Sequence, residues 1–154
     1  MSITAVNALL AQVAQLCEAP DSAFTFELAE LPREESIELS LAPRFAGVHW
    51  KTKQPYSISD WDLKAEPRGD DLFGILGPVL GSWLFGMPSS LSHIQEHVRT
   101  AIVGQLCDHI SGIVGHCSVH EIFVTPPVWY ETSWQDFVLL SPERLWFLHF
   151  GVTD

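Results

Sequence analysis

The sequence predicts an α+β domain: a mainly antiparallel sheet with an N-terminal helix and a long central helix packed on it. Apolar residues at the start and middle of the chain recur at three- and four-residue steps. Those after Pro20 and near the C-terminus alternate or run continuously, and Pro, Gly and Ser clusters punctuate the changes. With 154 residues, 47% of them hydrophobic, the chain can bury a core, and no linker or internal repeat divides it. Residues 1–154 are therefore read as one domain.

Ile3, Val6, Leu10, Val13 and Cys17 form one stripe, so residues 3–18 read as a helix that Pro20 stops. Phe24, Phe26 and Leu28 then alternate with polar or small neighbours. Ile37, Leu39 and Leu41 repeat the pattern after a break at Leu31–Glu35, and the two runs predict a β-hairpin. Val48 to Thr52 and Tyr56 to Ile58 supply a second, shorter pair around Lys53, Gln54 and Pro55. Asp60 to Asp71 reads as a polar connection containing Pro67 and Gly69.

Leu72 to Met87 carries no charge. It is shorter than the roughly 20 residues of a membrane span, and Pro78 with four glycines weakens any helix. A buried broken helix or apolar loop is expected, with a flexible, Gly-rich pocket wall at 72–87 as the functional alternative. Its glycines fit neither the Walker pattern nor GxGxxG.

Ser90 or Ser92 is expected to cap a helix running to about Val114, with Ile94, Val98, Ile102, Leu106, His109 and Ile113 on one face. Cys117 to Thr125 reads as a strand ended by Pro126-Pro127. Phe137 to Leu140 and Arg144 to Phe150 pair through the turn Ser141-Pro142-Glu143. The last strand is apolar on both faces, with Leu145, Phe147 and His149 on one and Trp146, Leu148 and Phe150 on the other. A central or helix-covered strand is implied.

Nineteen acids stand against eight bases, a net charge of −11 that arises from a shortage of Lys and Arg. Such a surface repels phosphate backbones and anionic lipid, so neither nucleic acid nor membrane is an expected partner, whereas a basic protein would be attracted. The first sixteen residues hold no Lys or Arg, unlike a secretory signal, and Cys17, Cys107 and Cys117 read as reduced, buried thiols. A cytoplasmic location is expected.

Three groups of residues invite a chemical reading. His93-Ile94-Gln95-Glu96-His97 spells HxxEH, which resembles the motif of inverzincin metalloproteases. The resemblance covers those five residues and implies zinc held by His93 and His97, with Glu96 activating water. Cys107, His109, His116, Cys117 and His120 are also potential ligands, but Cys107 and His109 point about 200° apart on a helix, at about 100° per residue. No GxSxG elbow or CxxC knuckle is present.

The third group is Pro126 to Asp136, where Trp129, Tyr130 and Trp134 lie with Glu131 and Asp136 between two expected strands. Trp and Tyr dominate interface hot spots. Together with the acidic pair Glu34 and Glu35, these residues form the expected binding surface of a non-enzymatic, acidic protein-binding domain of the inhibitor, antitoxin or immunity-protein kind. It would engage a basic partner and need no cofactor. The alternatives are a small zinc-dependent hydrolase using His93, Glu96 and His97, and a small-molecule binder built on the 72–87 wall.

Overall fold

The computed structural model describes all 154 residues and shows the α+β architecture. Ser2 caps α1 (Ile3–Cys17) by accepting from the Ala5 amide at 3.2 Å, and Val6, Leu10, Val13, Ala14 and Cys17 form its buried stripe. The chain turns into β1 (Ala23–Leu31), an edge strand whose only partner is the C-terminal strand. Asn7 of α1 satisfies part of that open edge: its amide donates to the Leu28 carbonyl at 2.7 Å and accepts from the Leu28 N–H at 2.8 Å.

The expected partner strand for β1 is instead a helix, α2 (Ile37–Leu41). Ile37 and Leu41 satisfy the two-residue period and the four-residue helical step alike. Ser36 decides between them locally by capping the Leu39 amide at 3.1 Å, with Glu38 in the first turn. Leu41 is buried, while Leu39 points to solvent.

A short ribbon follows, β2 (Gly47–Val48) against β3 (Pro55–Tyr56), and then a 3-10 turn at Ile58–Trp61. The expected polar connection contains a strand, β4 (Lys64–Gly69). Its charges and Pro67 suit the sheet edge it occupies, where half of the backbone groups need no ladder partner.

The uncharged stretch forms α3 (Leu72–Phe85), capped by Asp71 and buried along Leu72, Leu76, Leu80 and Leu84, with Pro78 inside it. The central helix, α4 (Glu96–Val114), starts later than expected because Ser89 to Ile94 forms hydrogen-bonded turns. Arg99 reaches back to donate to the Ser92 and Ile94 carbonyls and holds those turns against the helix.

Three further strands, β5 (Ser118–Phe123), β6 (Ser133–Leu140) and β7 (Leu145–Thr153), complete a five-stranded antiparallel sheet of order β1-β7-β6-β5-β4. The core on one face joins α1, α3 and α4 to Phe26, Val119, Phe137, Trp146 and Phe150. The other face carries a smaller core, Leu41, Phe45, Trp61, Ile122, Val138, Leu145 and Phe147, roofed by α2, the 3-10 turn and loops. β7 lies between β1 and β6 and is buried along eight of its nine residues, as its two apolar faces require. No helix is long and apolar enough to cross a membrane.

Candidate functional site

Within the loop-covered face, one row of residues breaks the apolar pattern. Glu27, His149 and Asp136 stand opposite one another on β1, β7 and β6. The side chain of His149 is 2% exposed and that of Asp136 0%, and His149 Nδ1 lies 2.6 Å from Asp136 Oδ1. Alternation alone puts both groups on this face: His149 follows Phe147 at two residues, and Asp136 precedes Val138 by two.

The loop between β5 and β6 closes over this pair. Glu131 sets Oε1 3.3 Å from His149 Nε2, and the Tyr130 hydroxyl lies 3.2 Å from Nδ1 and 3.4 Å from Asp136 Oδ2. Gly151 makes room for Glu131, since a Cβ there would overlap the carboxylate. The second carboxylate oxygen, Oε2, is buried without a hydrogen-bond partner. Thr132 N–H donates to the Val152 carbonyl at 3.0 Å and Thr125 N–H to the Trp61 carbonyl at 2.8 Å, so both ends of the loop are tied down.

Burial pushes the His149 imidazole toward its neutral form, but the hydrogen bonds and charges of Asp136 and Glu131 outweigh it and raise the pKa to about 9. Burial raises the Asp136 carboxyl, against the pull of His149. Both ring nitrogens face a carboxylate oxygen, an arrangement that suits an imidazolium with its two N–H donors. Burial and the nearby carboxylates also push the Tyr130 phenol up, which keeps its hydrogen. The row continues outward through Glu27, paired with Arg44 at 2.7 Å, and the Arg44 guanidinium covers the Phe147 ring.

As folded, this cluster cannot meet a substrate, because neither His149 nor Asp136 reaches solvent. What it does is latch a loop. Tyr130 also meets the ring of Trp61 edge-on at 5.2 Å and that of Trp134 at 5.3 Å, whereas Trp129, one residue before the latch, is 70% exposed.

The expected binding residues thus separate. Trp129 is at the surface, Trp134, Tyr130 and Glu131 are half-buried, and Asp136 is interior. Glu34 and Glu35 are exposed but follow Leu31, which pairs with Leu145 at the far end of β7 from Val152 and the latch. The acids beside the loop are Asp60 and Asp62, which flank Trp61 and are exposed.

The structure does not bring the HxxEH residues onto one helix. Glu96 is the first residue of α4, and His93 lies in the preceding turn with Nδ1 2.9 Å from the Ser90 carbonyl. No group of three or more His, Cys, Asp or Glu side chains is arranged to hold a metal ion. The three cysteines are buried and unpaired, and burial raises each thiol, Cys107 to about 11.

His149, Gly151, Trp61 and Arg44 were not among the residues expected to matter. The one signal for them was the polar His149 inside an otherwise apolar strand. Fold and site together define a class: an α+β domain with a helix-backed antiparallel sheet and a loop latched by a buried imidazolium. No family model matches the chain, and no curated protein or solved structure resembles it significantly.

Proposed function

We propose that this protein is a non-enzymatic binding domain that engages a basic protein through the loop bearing Trp129. The observation that carries the reading is the contrast within that loop: Tyr130 and Glu131 are fixed to the buried imidazolium, while the adjacent Trp129 is left 70% exposed. A large ring held on an ordered loop loses little conformational freedom on binding, which is what an interface anchor needs. Asp60 and Asp62 beside Trp61, and the net charge of −11, favour a cationic partner and a fast, salt-sensitive encounter.

Affinity capture from native cell extract tests this. The expected result is a basic protein that binds the wild type, dissociates with added salt, and binds Trp129→Ala with a loss above about 2 kcal/mol. Equal binding by the variant, or a captured partner indifferent to salt, contradicts the proposal.

A second reading draws support from the groove between α3 and α4. It has a volume of about 740 Å³, Gly77 and Gly81 in its lining and walls of Phe73, Phe85, Ile94 and Val103. A side chain at either glycine would meet nothing, and Gln95, Glu96, Arg99 and Thr100 complete the lining, so the space is open to an amphipathic guest. Nile red fluorescence that rises with the wild type and is lost in Gly81→Leu would favour this function; no rise removes it.

A further inference from the structure

The ribbon of β2 and β3 carries the opposite polarity from the rest of the protein. Residues 39–59 contain Arg44, Lys51 and Lys53 and no Asp or Glu, in a chain with 19 acids and 8 bases. With acids in such excess, every base should find a partner, and most do. Arg44, Lys64, Arg68 and Arg144 are in ion pairs, and Arg33 and Arg99 donate to backbone carbonyls. The side-chain ammonium groups of Lys51 and Lys53, at the ribbon tip, have neither.

Between strands β2 and β3 the tip is closed by hydrogen bonds to His49. The His49 imidazole accepts from the Lys51 and Thr52 amides at 3.2 Å each, and Lys53 N–H donates to the His49 carbonyl at 2.9 Å. Lys53 takes a φ of 59°, a left-handed conformation that glycine or asparagine would adopt at lower cost. Trp50 is 68% exposed, with the Lys51 ammonium 4.8 Å from its ring centre, and Val48 beside it is exposed too. At its base the ribbon is anchored by Tyr56, whose ring lies 6.2 Å from Trp61.

We infer that the tip Val48–Lys53 is a second docking element, which takes an acidic segment of a partner protein: Trp50 and Val48 cover apolar side chains while Lys51 and Lys53 meet carboxylates. Charge complementarity selects that occupant. An extended polyanion such as a membrane or duplex would also face the surrounding acids, including Asp60 and Asp62. A short acidic segment confined to the tip would not, because exposed charges are screened beyond about 8 Å at physiological salt. This site is independent of the Trp129 loop, and either can fail alone.

The test uses the full chain labelled with ¹⁵N and titrated with a peptide of alternating Glu and Leu, phosphatidylserine vesicles, or a duplex oligonucleotide. The peptide is expected to move the Trp50 indole signal and the amides of 47–56, and the Lys51→Glu/Lys53→Glu double variant to weaken that binding by about tenfold or more. A matching loss is expected for Trp50→Ala, with thermal unfolding unchanged in both variants. No movement with the peptide, movement at another surface, binding insensitive to charge reversal, or tighter binding to vesicles or duplex overturns the inference.

Discussion

His149 and Asp136 face each other across β7 and β6, 2.6 Å apart and closed off from water. Their pairing inside an apolar sheet face is tolerated because the imidazolium meets a carboxylate at each ring nitrogen, Asp136 at Nδ1 and Glu131 at Nε2. Removing one member strands the other. Asp136→Leu and His149→Leu are each expected to destabilise the protein by about 3–5 kcal/mol, whereas the double substitution costs less than their sum. Urea unfolding of the three variants measures it, and additive losses would show that the pair is not coupled.

Stability should fall on the alkaline side. The folded pKa of His149 is raised from 6.5 to about 9, so its stabilisation is complete below the lower value and is lost as pH rises through the upper. The shift corresponds to about 3–4 kcal/mol at about 1.4 kcal/mol per unit. Tyr130, also raised, adds a further loss beginning above about 10. Urea midpoints measured between pH 6.5 and 8.5 should fall in the wild type and stay nearly level in the double variant Asp136→Leu/His149→Leu, which leaves neither member of the pair to titrate.

Gly151 and Glu131 should behave as a unit. A methyl group at Gly151 occupies the space of the Glu131 carboxylate, so Gly151→Ala is expected to expel the loop and cost about 1–3 kcal/mol. In a Glu131→Ala background the same change should cost much less. Equal costs in the two backgrounds would separate the glycine from the latch.

Much of this organisation is legible in the sequence. The stripe of α1 and the two-faced apolar run of β7 come directly from spacing, because each has one geometry that buries it. Ile37 to Leu41 misleads because its spacing fits strand and helix equally, and capping by Ser36 is a local hydrogen bond that periodicity does not count. β4 is hidden by Pro67 and its charges, which mark sheet edges as well as loops. At the site, the aromatic loop stands out, but the latch does not: Asp136, His149 and Glu131 meet only once strand register and the missing side chain of Gly151 bring them together.

Deleting Trp146 to Asp154 removes nearly all of β7, the only partner of β1, together with His149. The truncated chain is expected to lose cooperative unfolding and near-ultraviolet circular dichroism. A soluble, cooperatively folded truncation would contradict the central position of β7.

A ¹⁵N NMR titration of His149, read together with amide exchange in residues 124–132, tests the latch most directly. The expected result is an imidazolium with both ring nitrogens protonated up to about pH 9, and loop amides that lose protection as it titrates. A pKa at or below 6.5, or a loop whose protection ignores the state of His149, would contradict the claim that a buried charge holds Trp129 in place.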